Sequence, residues 1–331
     1  MSHTTQETAP APSGRVSALS SRSRMTGWVG LPAALLVLVA IGAFTSDKFL
    51  TTGNIVNILT GMSIVGIIVV GMTFVIISQG LADLSVPATV ATGAIVVLKT
   101  QESLGTAGAV LAALALAGVA GAVNGVLVGY ARANPIIVTL GIGTIVLGLA
   151  QALVGGVIVY GEPTTTSRVV SDRVLGIPVL VMVFLAVAVA GHLVLSRTVW
   201  GRWTYAVGSN YAATEASAVP VRRTRAAAFL LTGVLSGFSG VLLGLTLLSA
   251  RPVVGTGYEF DAITAVVVGG VSLLGGFGSI PRAITGLLLV QVLTNLLVLY
   301  GVPTPVQGLG KGAIIAVAVA VDIQLRRRGG R

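Results

Sequence analysis

Residues Arg197 to Arg225 read RTVWGRWTYAVGSNYAATEASAVPVRRTR, the longest polar island in a chain that is otherwise almost continuously apolar. Arg197, Arg202, Arg222, Arg223 and Arg225 crowd its two ends. Arginine beside a membrane span marks the cytoplasmic side, because basic loops are retained there. The middle, Ser209 to Val219, alternates small, polar and apolar residues. It predicts a helix of about two to three turns, capped by the side-chain oxygen of Ser209 or Asn210. Pro220 closes it, since the residue before a proline is disfavoured in the helical region. A short helix held between spans offers another protein something to push. A plain solvated loop, basic because basic loops stay inside, is the competing reading.

The island stands out because so little else is polar. Of 331 residues, 54% are hydrophobic and 9% charged, against roughly 25% charged in soluble domains. The chain is therefore expected to be a polytopic, all-α membrane protein. Its 44 glycines and 12 prolines suit closely packed or broken membrane helices. The absence of cysteine excludes disulfide and thiolate chemistry. His3 and His192 are the two histidines, too few for a multi-histidine metal cluster. A net charge of +10 raises nucleic acid as a partner, but the charges fall where membrane topology puts them, so none is expected.

Working outward, residues 1–27 are rich in Ser, Thr, Ala and Pro and predict a disordered cytoplasmic tail. A retained first helix follows over about 28–45, and further spans are expected near 54–78, 86–99, 105–130, 136–159, 178–196, 226–248, 261–280, 283–300 and 306–322. That makes about ten spans within a membrane-spanning domain over 28–325, with the island 197–225 as its main cytoplasmic loop. A basic cytoplasmic tail follows over 326–331. With both termini inside, fourteen basic residues fall on the cytoplasmic side and five on the other, with Lys311 inside the last span. This is the bias that retention of basic loops demands.

A faint repeat supports the count. Asn124, Tyr130, Pro135 and Leu140-Gly141-Ile142-Gly143 recur as Asn295, Tyr300, Pro305 and Leu309-Gly310-Lys311-Gly312. Five spans, an odd number, separate the copies. Helices 2–5 and 7–10 are thus expected to form inverted repeats, a transporter trait with the path at their interface.

Chemistry-bearing residues are few. The ten carboxylates avoid the middle of every clear span, which weakens an ion-coupled carrier without excluding it. No G-x-x-x-x-G-K-[ST] phosphate loop is present, so the chain is not expected to bind ATP. No nucleophile–base arrangement suggests an enzyme. Three glycine-bearing breaks, Ser78–Ser85, Gly269-Gly270 and Leu274–Ser279, interrupt apolar runs. At membrane depth such breaks must be buried in protein or line an aqueous cavity. Asn57, Thr73, Asp83, Ser85, Asn124 and Asn295 are the polar residues expected to line a path. Simple interhelical hydrogen bonds are the alternative role for them.

Taken in order, a series of motifs resembles the ribose/galactose/xylose-type sugar permeases of ATP-binding-cassette importers. They are Met72-Thr73, Asp83-Leu84-Ser85-Val86, Asn124-Gly125, Ile137–Gly141, Tyr205–Asn210 and Gly257–Leu273, the last followed by Gly275-Gly276 and Gly278-Ser279. The resemblance covers residues 50–322. It implies a multi-pass permease subunit of the bacterial inner membrane that moves a sugar and is not itself an enzyme. It also implies cytosolic ATP-binding subunits that hold ATP and Mg, an extracytoplasmic solute-binding protein, and a second permease subunit, identical or not. By position, the coupling helix on the ATPase is carried by Ser209, Asn210, Ala213, Glu215, Ala216 and Val219. A branched-chain amino-acid permease of the same importer class and an ATP-independent secondary carrier are the alternatives. The chain departs from the family pattern in an apparent extra residue before Asp83, in Pro87 where glycine is usual, and in Thr214 and Ala218 for a usual Ala and Gly.

Overall fold

The structure is a computed structural model that describes residues 19–303, 305–314 and 316. The first 18 residues, the expected basic tail and the end of the last expected span lie outside the described residues. Eleven helices are bounded among the described residues. They are α1 (Leu19–Thr45), α2 (Thr52–Ile77), α3 (Val86–Gly129), α4 (Pro135–Val154), α5 (Thr165–Ser171), α6 (Val179–Arg197), α7 (Val199–Ser209), α8 (Tyr211–Ala216), α9 (Val221–Leu247), α10 (Tyr258–Val268) and α11 (Ile280–Leu299). Residues 305–314 are helical as well. Six of these helices (α2, α3, α4, α6, α9 and α11) are long and apolar enough to cross a membrane. The helix of α1 begins at Leu19, inside the stretch expected to be a disordered tail.

The core is organised around α2. Its sequence is apolar on every face, the mark of a helix enclosed by others, and residues Ser63 to Ile77 are all buried. Thr51 starts it by accepting a hydrogen bond from the Asn54 amide, and α9, α6, α11 and α10 surround it.

Helix α3 is two arms. Gly105 sits at φ +66°, ψ 163°, where an L side chain is strained. The neighbours along α9 reverse direction across it. In the first arm, Val90 and Ala94 meet Gly240 and Gly244; in the second, Gly121, Gly125 and Gly129 meet Phe229, Ala226 and Arg222. The first arm therefore runs with α9 and the second against it, a hairpin whose arms lie on the two expected spans 86–99 and 105–130. A Cβ on Gly93 would lie 2.4 Å from the Gly237 carbonyl oxygen, and one on Gly240 2.1 Å from that of Val90. Close backbone approach of this kind is why small residues gather at membrane helix contacts.

The expected span 261–280 is corrected. Helix α10 has 11 residues and ends at Val268, too short to cross a bilayer, and the chain then turns through Gly269 to Ser279 before α11. The turn satisfies its own backbone: Gly270 N–H reaches the Val267 carbonyl at 2.9 Å, Ser272 N–H that of Phe277 at 3.0 Å, and Gly276 N–H that of Ile77 at 2.9 Å. Hydropathy does not separate such a turn from a helix, because both are apolar.

The repeat is visible in the elements. Helix α2 starts at 52 and α9 at 221, a displacement of 169 residues. Tyr130 and Tyr300 cap the ends of α3 and α11 alike. Helices α2 and α9 run antiparallel, since Ser239 Oγ donates to the Ile64 carbonyl at 2.8 Å while Gly71 lies on Thr232 and Gly80 on Phe229.

Segments assigned to one side by the charge bias meet at one end. There, Gln79 reaches Gly208, Arg132 reaches Glu215, and Tyr205 reaches Gly278. At the other end, Lys99 Nζ donates to the Leu153 carbonyl at 2.7 Å. Two short strands, Val159–Tyr160 (β1) and Ser249–Ala250 (β4), pair antiparallel there, apart from the small hairpin Arg173–Val174 (β2) with Ile177–Pro178 (β3).

Candidate functional site

The polar island folds into α7, α8 and the first turn of α9. Asn210, not Ser209, caps α8: its Oδ1 accepts from the Ala213 amide at 3.0 Å. Ser209 instead ends α7, its hydroxyl donating to the Tyr205 carbonyl at 2.8 Å. Helix α8 has six residues, shorter than expected, because Ser217 and Ala218 already turn toward Pro220.

The helix is fastened on one face and free on the other. Thr214 is buried, and its hydroxyl donates to the Ala206 carbonyl at 2.8 Å, which ties α8 to α7. Tyr211 packs between two guanidinium groups, Arg132 at 5.6 Å and Arg225 at 6.0 Å from the ring centre. Such cation–π contacts contribute about 0.5–1 kcal/mol each when exposed. Glu215 pairs with Arg132 at 2.7 Å. Ala212, Ala213, Ala216 and Ser217 are exposed, as are Ser209, Asn210 and Glu215, while Val219 is half-buried in the link to α9. The result is a small-residue face with one acidic group, presented at the basic end. Two of the departures from the family pattern now have structures. Thr214 supplies the tie to α7, and Pro87 stands in the first turn of α3, where its missing N–H has no helical partner to lose.

Ala218 is the odd one. Its φ is +59°, a conformation that costs a residue with a Cβ about 1–2 kcal/mol. Ala218→Gly is expected to stabilise the chain by about 0.5–1 kcal/mol once glycine's greater unfolded-state entropy is deducted. Thermal unfolding of the detergent-solubilised protein checks this, with the midpoint rising and uptake unchanged.

Three of the six expected path residues form one bonded unit. Ser85 Oγ donates to Asp83 Oδ1 at 2.5 Å, and Asn124 Nδ2 donates to Ser85 Oγ at 2.9 Å. The Ser85 amide adds a bond to the same carboxylate oxygen at 2.9 Å. All three residues are 1% exposed or less, so the unit joins the start of the first α3 arm to the second arm within the protein. Thr139 of α4 joins it by accepting from the Leu84 amide at 3.0 Å. Thr73 is also buried, but its hydroxyl bonds back to Val69 within α2.

Asn295 lies elsewhere. It exchanges two amide hydrogen bonds with Asn54, at 2.8 and 2.9 Å, and joins α2 to α11 near the opposite end. Asn57 is exposed and meets none of the others. Asn54 was missed by sequence reasoning, because α2 carries no polar face to set its rotational phase.

A further charge pair is present. Lys311 Nζ lies 2.6 Å from Asp261 Oδ1, with the two side chains 21% and 17% exposed. Ionisable residues inside a membrane domain pair with one another in this way.

The family described as branched-chain amino acid transport system / permease component matches residues 54–319. The ribose import permease protein RbsC of Escherichia coli (strain K12) is 39% identical over 294 residues, 87% of this chain and 91% of that protein. The RbsC of Bacillus subtilis (strain 168) is 36% identical over 87% of this chain and 90% of its own length. The L-arabinose ABC transporter permease protein AraH of Azospirillum brasilense is 34% identical over 97% and 96%. No solved structure matches the chain. With its family match spanning most of the sequence and relatives this similar over nearly their whole length, the chain belongs to the permease family of ATP-binding-cassette importers that contains these sugar permeases.

Proposed function

We propose that this chain is the membrane-spanning permease subunit of a bacterial ATP-binding-cassette importer for a sugar of the pentose or hexose class. The basic end faces the cytoplasm, where retention of basic loops puts it. Separate ATP-binding subunits dock on α8 there, and an extracytoplasmic binding protein delivers the sugar at the opposite end. The observation that carries this reading is the build of α8. It is tied to α7 by Thr214 and held by Arg132 and Arg225 through Tyr211, with Ala212, Ala213, Glu215 and Ala216 left exposed. A handle fixed to the membrane helices on one side and free on the other passes a push inward.

One stripe of α4 exposes Gly141, Thr144, Gly148 and Gln151. Small and polar side chains there suit a second permease subunit across the path better than lipid tails. Asp83, Ser85 and Asn124 serve as a single bonded unit that shapes the wall of that path.

Sugar is favoured over branched-chain amino acids because the similar permeases are named for ribose, arabinose and allose. The family's own description keeps the amino-acid reading in view. Uptake competition separates the two. Unlabelled ribose, arabinose or allose in excess is expected to suppress uptake in cells that depend on this permease, with leucine without effect. Competition by leucine alone overturns the sugar assignment.

A further inference from the structure

We propose that Gln79 is a positioning residue: its side-chain amide transmits movement of the α7–α8 segment to the Asp83–Ser85–Asn124 unit. The proposal rests on the ATP-driven reading above.

Gln79 lies at the end of the central helix α2, and three elements converge on it. Its Nε2 donates to the Gly208 carbonyl of α7 at 2.9 Å. Its own carbonyl accepts from Arg225 Nη2 of α9 at 3.2 Å. The preceding turn of α2 accepts from Gly276 N–H through the Ile77 carbonyl. The side chain of one residue is thus fixed to the helix that carries α8, and its backbone to the helix that follows α8.

Contact between α7 and the end of α2 otherwise consists of Trp200 stacked on Phe74, with ring centres 4.8 Å apart, and of backbone against backbone at Gly208. A Cβ on Gly208 would fall 1.8 Å from the Ile77 carbonyl oxygen and 2.3 Å from the Gly276 nitrogen. Movement of α7 toward α2 must therefore displace the end of α2. Movement away breaks only van der Waals contact, unless a directional bond pulls as well. The Gln79 amide supplies that bond.

The segment it pulls on is held in an unusual shape. Gln79 and Leu81 have φ of +59° and +57°, left-handed conformations that side chains other than glycine adopt rarely and that cluster at switch regions. These two residues lie where the chain carries its apparent extra residue before Asp83. A cavity of about 380 Å³, lined by Gln79, Gly208, Ser209, Phe277 and the Gly275-Gly276 turn, opens beside this bond. Four residues beyond Gln79, Asp83 begins the bonded unit that ends at Asn124. The chain of fixed contacts therefore runs from α8 through α7 and Gln79 to the buried unit at the head of α3.

The test uses the full chain with its ATP-binding subunit and binding protein in proteoliposomes. The solute is whichever of ribose, arabinose and allose the wild-type complex takes up. ATP hydrolysed, solute taken up and complex thermal stability are measured together. Gln79→Gly removes the amide and suits the left-handed backbone, Gln79→Glu replaces the donor by an acceptor facing a carbonyl, and Gln79→Lys keeps a donor. The Gly and Glu variants are expected to assemble with the ATP-binding subunit and to lose uptake per ATP at least tenfold, with Lys retaining half or more. Wild-type coupling in the Gly and Glu variants overturns the proposal. So does equal failure of Lys and Glu, or a loss of uptake that only follows loss of assembly. A wild-type complex that takes up solute without ATP fails the underlying reading instead, and is seen before any variant is compared.

Discussion

Glu215→Arg is expected to abolish uptake while the chain still folds and reaches the membrane. The Glu215 carboxylate is about half exposed and pairs with Arg132 at the protein surface. Surface pairs of this type stabilise a fold by about 0.2–1 kcal/mol, so losing this one leaves the protein standing. The large effect lies at the partner. Glu215 is the single charge among the exposed residues of α8, on a basic end that carries Arg132, Arg222 and Arg223 nearby. Reversing it sets like charges together at an interface, which costs several kcal/mol. At 1.4 kcal/mol per decade, binding of the ATP-binding subunit falls by about a hundredfold or more. Co-purification of the subunit and uptake, both normalised to permease in the membrane, check it. The double variant Glu215→Arg with Arg132→Glu rebuilds the ion pair. It is expected to stay inactive, because the docking face remains altered.

Breaking the Lys311–Asp261 pair is expected to be the most destabilising single change. Both side chains are about four-fifths buried, and removing one partner strands a charge in an apolar surrounding, at a cost on the order of 3 kcal/mol. Asp261→Asn and Lys311→Met should each lower the amount of protein in the membrane and its thermal midpoint in detergent. Replacing both by apolar residues is expected to recover most of the loss, because well-packed hydrophobic residues substitute for a buried ion pair at little or no cost. Two single losses that simply add in the double variant would show that the pair is not coupled.

Class was legible because it depends on composition. Apolar runs and the placement of arginine reflect transfer free energies and loop retention, which act residue by residue. The hairpin in α3 was legible too, since Gly105 stands between two apolar runs, each with its own length. The span 261–280 was not. Beyond Asp261 the stretch to Ile280 is apolar apart from small polar residues; its glycine pairs marked breaks, but the turn that replaces a helix there is held in part by hydrogen bonds to distant segments, such as Gly276 N–H to the Ile77 carbonyl. Nothing local records them.

The site divides in the same way. The island, its Asn210 cap and the Asp83-Leu84-Ser85 motif are local patterns. The joining of Asp83 and Ser85 to Asn124, 39 residues away, and of Asn295 to Asn54 rather than Asn57, depends on which face of an all-apolar helix meets its neighbour. Such a helix has no amphipathic phase from which to read that face. Gln79 was visible only as part of a departure from a family pattern. Its role follows from a backbone conformation and a contact 129 residues away.

The most direct test is uptake into proteoliposomes that hold this chain with its binding protein, with and without its ATP-binding subunit. A gate energised through α8 predicts sugar uptake only when the subunit and hydrolysable ATP are both present. Uptake of the same sugar by the chain alone, driven by an ion gradient, contradicts it.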